Sequence, residues 1–138
     1  RGDRLTLAQM EENQETVHRA WKKGYDHIRH SLWNGYYQGW DLNPAQLPMR
    51  YAAVYAFFLE SYDDAVERLK TFVEKAARAT LIGDVFDDAA TGQGLLNYFL
   101  RALNSGAISE EEVLRTGLTI EEIRGRSFKK ILENRAAS

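Results

Sequence analysis

Side chains able to do chemistry fall in three places along this chain of 138 residues. His18, His27 and His30 are the only histidines, and Asp26 adjoins the second of them. His27 and His30 are three apart, so on a helix they share a face. A tetrahedral metal site needs more ligands converging on that face, and nothing in the sequence supplies them. The pair therefore reads as solvated polar positions beside Arg29. A second group, Asp84, Asp87 and Asp88, stands just before a run that reads as a helix from about residue 89. Carboxylates there cap free N–H groups and complement the helix dipole. In a functional reading, one of them reaches a site as an acid or a metal ligand. The third place is an aromatic run, Gly35-Tyr36-Tyr37-Gln38-Gly39-Trp40-Asp41-Leu42, that ends in the turn Asn43-Pro44-Ala45-Gln46.

Other chemistries are excluded by composition. The chain has no cysteine, which removes disulfides, thiolate nucleophiles and Cys-ligated metal sites and fits a cytoplasmic protein. Gly92-x-Gly94 lacks the preceding strand that a phosphate loop needs, so it reads as helix entry or close packing. No Ser/His/Asp or Walker-type arrangement occurs. With 18 basic and 20 acidic residues, there is no broad pull toward nucleic acid or anionic membranes. The aromatic residues are not interleaved with a basic run, as stacking on nucleic acid would want. The longest mainly apolar run, residues 51 to 59, is too short to span a bilayer, and no signal-peptide pattern opens the chain. On motifs alone, the chain holds no self-sufficient active site. It also begins with Arg1 rather than Met, which fits a processed or excised product.

The elements that must position these residues read as helices. Thr6 and Gln9 have the spacing of a capping box. Met10, Val17, Trp21, Ile28 and Leu32 then recur at steps of four and seven, predicting an amphipathic helix over residues 7 to 32, interrupted by Gly24 and ended by Gly35. Pro48 suits a first helical turn. The residues from Met49 to Leu59 are apolar almost all round, so a helix there must be buried on most sides, by this chain or by another. A third helix follows from Ser61 to about residue 80, and a fourth from 89 to about 103. Ser109-x-x-Glu112 and Thr119-x-x-Glu122 cap two short ones, and the last begins near Arg126. The expected class is all-α, with about five to six helices and one short strand-like segment, Tyr36 to Leu42, without a partner strand. An unpaired strand leaves backbone polar groups unsatisfied. Either that segment is irregular, or the chain is a piece of something larger, and the second reading is favoured.

The run from Gly35 to Gln46 resembles the last barrel strand and following turn of the HpcH/HpaI aldolase superfamily, which includes the citrate lyase β-subunit. In that superfamily a glycine-aromatic run leads into a His-Pro-x-Gln turn; here Asn43 stands in the histidine's place. The similarity is closest to a citrate-lyase-β-like branch. It implies that residues 1–60 are the last helix–strand–helix portion of a (β/α)8 barrel and residues 61–138 a helical C-terminal extension. It also implies a parent enzyme, a carbon–carbon lyase or aldolase, using magnesium or a similar ion to hold an enolate derived from pyruvate or an acyl-CoA. The arginine and metal-binding carboxylates of such enzymes come from earlier strands, so the chain carries no cofactor site and is expected to be inert alone, since a whole barrel takes roughly 250 residues. Asn43, Pro44 and Gln46 become a substrate loop. Asp87 or Asp88 becomes a catalytic aspartate contributed across a subunit boundary. The partners implied are further copies of the chain and the remainder of the barrel. A reading from another class is a standalone helical protein–protein interaction module, which buries the helix of residues 49–59 against itself or a partner.

Overall fold

The structure, a computed structural model, describes residues 4–37, 39–81 and 89–136. Among them are seven α-helices and no strand: α1 (Leu7–Trp33), α2 (Leu47–Glu60), α3 (Tyr62–Leu81), α4 (Ala89–Asn104), α5 (Glu110–Leu114), α6 (Ile120–Arg124) and α7 (Phe128–Ala136), with a 3-10 turn at Pro44–Gln46. That is more helices than the five to six expected, within the expected all-α class. Tyr36 to Leu42 forms no strand among the described residues. Its aromatic residues suit a pleated surface, but a strand is made by the ladder beside it. No helix of the described residues is long and apolar enough to cross a membrane.

Local chemistry sets the helix ends. The Thr6 side chain accepts from the Gln9 N–H while the Gln9 side chain accepts from the Thr6 N–H, closing a capping box at the start of α1. At its end Gly35 takes a φ of 80°. The Gly35 N–H bonds to the Leu32 carbonyl and the Tyr36 N–H to the Ser31 carbonyl, the paired bonds of a glycine-terminated helix. Gly106, at φ 74°, ends α4 in the same way, with Ala107 bonded back to Ala102. Reciprocal boxes built on Ser109/Glu112 and Thr119/Glu122 open α5 and α6.

The chain divides into two compact units, Arg1–Phe57 and Phe58–Ser138. In the second, α3, α4 and α7 pack on one another while α5 and α6 lie against α4 and each other. Its core is made by Val66, Leu69, Leu96, Phe99, Val113, Ile123 and Phe128, all buried. Gly92 is buried on α4, and a Cβ built there would stand 2.4 Å from the Phe128 ring, too close for both. This is the close-packing role expected of it, whereas Gly94 faces open space. Arg126, just past α6, has a φ of 57°, a left-handed conformation that costs a side-chain-bearing residue roughly 1 kcal/mol. Around it the Gln93 carboxamide donates to the Arg126 carbonyl at 3.1 Å and accepts from the Phe128 N–H at 3.0 Å.

In the first unit the apolar stripe of α1 is covered unevenly. Leu32 is buried and Trp21 and Ile28 are half-buried, but Met10 and Val17 are exposed, as are Leu5 and Leu7 before them. Ala53 and Phe57 are buried on α2, and Tyr51 is exposed. The cover expected for this helix, by this chain or by another, is thus supplied by this chain on part of it only. Its residues are apolar all round, but one face is closed and another meets solvent.

Candidate functional site

The described residue cluster with the tightest polar geometry is the turn from Asp41 to Gln46, at the entry to α2. Asp41 precedes the turn and Arg50 lies in the first turns of α2. The Arg50 Nε–H points between both carboxylate oxygens of Asp41, at 2.7 Å from each, and Nη2 donates to the Trp40 carbonyl at 3.0 Å. Both side chains are largely withdrawn from water, Asp41 to 9% and Arg50 to 13% of full exposure. A withdrawn pair of this kind is bound to its geometry. Removing one partner strands the other charge and costs about 3–5 kcal/mol, whereas removing both is close to neutral.

Two further sets of bonds hold the same turn. Asn43, in extended backbone at φ −148° and ψ 138°, caps it by accepting the Ala45 N–H on Oδ1 at 2.9 Å. Gln46 reaches back, and its Oε1 accepts from the Leu42 N–H at 2.8 Å and the Asn43 N–H at 3.2 Å. Because backbone N–H groups can only donate, these contacts fix which end of each carboxamide is oxygen. The NH2 groups of Asn43 and Gln46 are thus turned away from the bonds that hold the turn. From the neighbouring helix, Trp21 donates its indole N–H to the Ala45 carbonyl at 2.9 Å. Met49 lies over Gly24 of α1, its Sδ 2.8 Å from where a Cβ would stand. That close approach accounts for a glycine in the middle of a helix, where it costs roughly 0.5–1 kcal/mol relative to alanine. An open cleft of about 450 Å³ runs beside the turn, walled by Val17, Trp21, Gln46 and Met49, with Lys23 and His27 as its polar lining.

So Asn43, Pro44 and Gln46 are brought together as one rigid turn, with Asn43 and Gln46 acting as its caps and Pro44 opening it. Asp84, Asp87 and Asp88 lie outside the described residues. His27 and His30 do not converge on further ligands. Asp26 is engaged by Lys22 at 3.0 Å, and the side chain of Asn34 donates to the backbone carbonyl of His30. Among the described residues no group of three or more His, Asp or Glu is arranged to hold a metal ion. Sequence reasoning missed the Asp41–Arg50 pair, and the traces it leaves are an aspartate flanked by apolar residues and an arginine within an otherwise apolar helix.

Polar groups in the second unit serve packing. The Tyr62 hydroxyl donates to the Glu112 carbonyl at 2.7 Å, and the Arg115 guanidinium lies 5.0 Å over its ring. Burial pushes the Tyr62 phenol above its usual value, with Arg115 opposing it. Arg135 holds the Glu122 carboxylate through bonds of 2.8 and 2.9 Å. That hydrogen bonding draws the Glu122 carboxyl below its ordinary 4.5, against its partial burial, with the Thr119 N–H adding to the effect.

An all-helical chain with a clamped, exposed turn between two helices is the class that fold and site define. More particularly, the chain belongs to the DUF6986 family, a domain of unknown function, whose family model matches residues 3–131. No curated protein and no solved structure matches it.

Proposed function

We propose that this chain is the C-terminal part of a cytoplasmic, metal-dependent carbon–carbon lyase or aldolase of the citrate-lyase-β-like type. In this reading it supplies the last helix, turn and helix of the barrel together with a helical extension. The extension supports assembly of subunits and caps a neighbouring active site through Asp87 or Asp88, and the chain is inert alone.

The observation that carries the reading is the uncovered apolar surface of the first unit. Tyr36 is 72% exposed, Trp40 61% and Leu42 83%, and Leu7, Met10 and Val17 on α1 are exposed as well. Isolated exposed apolar residues are ordinary, but so many large ones within one unit favour a surface made for something else. An aromatic segment with no ladder, between two helices, is what a last barrel strand looks like without its neighbours. The turn that follows it is the place where barrel enzymes set their chemistry, at the C-terminal ends of the strands. The same exposed surface favours a second reading, a helical interaction module that covers it with a protein partner.

The full-length parent protein separates the two readings. Incubated in D2O with magnesium and either pyruvate or acetyl-CoA, an enolate-forming enzyme exchanges methyl protons for deuterium, which proton NMR follows directly. The proposal expects exchange with one of the two substrates and none from residues 1–138 alone. Absence of exchange with both, from a folded parent protein, leaves the interaction-module reading standing.

A further inference from the structure

We propose that Asp41 and Arg50 are the positioning pair of the 43–46 turn, holding it in the form that receives substrate; this rests on the aldolase reading above. The turn is fixed three times over. The ion pair ties Asp41 and the Trp40 carbonyl to α2, the Asn43 and Gln46 side chains close a reciprocal box, and the Trp21 indole holds the Ala45 carbonyl from α1. Yet Leu42, Asn43, Pro44 and Ala45 are exposed, so the turn adds little to a core. Ordering a surface turn is entropically unfavourable, on the order of 1 kcal/mol or more per residue. A chain that needed only to pass from α1 to α2 could do so with a loose loop. An exposed turn held this firmly is ready for a ligand, because rigidity before binding lowers what binding must supply.

The bonds also have a direction. Both carboxamide oxygens are consumed inside the turn, by the N–H groups of Leu42, Asn43 and Ala45. The Asn43 and Gln46 NH2 groups are thereby left outside these bonds, as donors whose placement follows the backbone of the turn. Arg50 contributes through geometry rather than contact with substrate. Its planar guanidinium reaches the Asp41 carboxylate through Nε and the Trp40 carbonyl through Nη2 in one fixed geometry, a spacing that a lysine ammonium does not reproduce.

The test uses the full-length protein and whichever of pyruvate and acetyl-CoA the wild type exchanges in D2O with magnesium. Two variants are compared: Arg50→Lys, which keeps the charge and loses the planar guanidinium, and the double change Asp41→Leu with Arg50→Met, which removes both charges. The proposal expects KM for the exchanged substrate to rise about tenfold or more, with kcat per folded molecule within about twofold and the Trp21 indole N–H resonance displaced. A merely structural pair would lower the melting temperature and the folded fraction while leaving KM unmoved. Unchanged KM in the variants that fold overturns the proposal. If the double variant does not fold, Arg50→Lys alone decides by the same measurement. If the wild type exchanges neither substrate, the aldolase reading itself has failed and the pair is reduced to a stabilising contact, an outcome told apart by the wild-type control.

Discussion

At the scale of single residues, two glycines one position apart from Gln93 make opposite demands. Gly92 is buried against the Phe128 ring, with no room for another carbon. Gly94 has nothing within 4 Å of where a Cβ would go. Gly92→Ala is expected to cost about 1–3 kcal/mol by forcing Phe128 out of place. Gly94→Ala should stabilise by about 0.5–1 kcal/mol through lower unfolded-state entropy and better helix propensity. Thermal melts of the two variants check both signs at once, and a stabilised Gly92→Ala would mean that the α4–α7 contact is looser than described. Arg126 offers a third substitution. Its left-handed backbone is the one glycine favours, and its bonds are made by backbone groups that glycine keeps: the N–H donates to the Ile123 carbonyl and the carbonyl accepts from Gln93. Arg126→Gly should therefore raise stability by about 0.5–1 kcal/mol in urea titration.

At the scale of elements, α5 and α6 have five residues each, far too few to be helical in isolation. They persist because each has a reciprocal cap at its start and one buried anchor, Val113 or Ile123. Glu122 serves twice, accepting the Thr119 N–H and bonding Arg135. Its carboxyl titrates below 4.5 in the folded chain, so the stability it contributes is present above that value and is lost as pH falls through the depressed one. Both partners are partly solvated, which limits the contribution to about 1 kcal/mol or less. Glu122→Gln keeps the cap geometry and removes the charge. The gap between wild type and variant in chemical denaturation should be widest near neutral pH and narrow as pH falls below the ordinary 4.5 and through the depressed value. A gap that persists in acid would assign the stability to the cap rather than to the ion pair.

These caps were legible in the sequence because they are local: a side chain three positions from its partner leaves a fixed spacing to read. The helix ends at Gly35 and Gly106 follow for the same reason, since a positive φ favours a residue without a Cβ. The Asp41–Arg50 pair was not legible. It joins residues nine apart across a turn, and no periodicity ties an aspartate in irregular backbone to an arginine on a helix. The segment from Tyr36 to Leu42, expected to be strand-like and without a partner, forms no strand among the described residues for a related reason. Side-chain types suggest a strand, but pairing depends on a neighbour that the segment itself does not encode.

For the whole molecule, the unevenly covered first unit predicts behaviour in solution. Trp33, Tyr36, Trp40 and Leu42 are exposed alongside the open stripe of α1, and a surface of this kind favours association in water. The isolated chain is expected to self-associate in a concentration-dependent way and to enhance the fluorescence of an apolar dye. Sedimentation velocity showing a single monomer at all concentrations, without dye binding, would remove this expectation. Among the exposed set, Leu42→Lys and Trp40→Lys should shift the equilibrium toward monomer, because neither side chain has a hydrogen-bonding role.

Met49 lying over Gly24 constrains how the family can drift. The two positions share one volume, so a Cβ at residue 24 requires the end of the Met49 side chain to move or to shorten. Where a relative carries alanine or serine at the position of Gly24, the position of Met49 should hold a shorter side chain, and a long one there should face glycine. Aligned relatives would show this as a trade in size between two sites 25 residues apart, while each site taken separately would look merely variable.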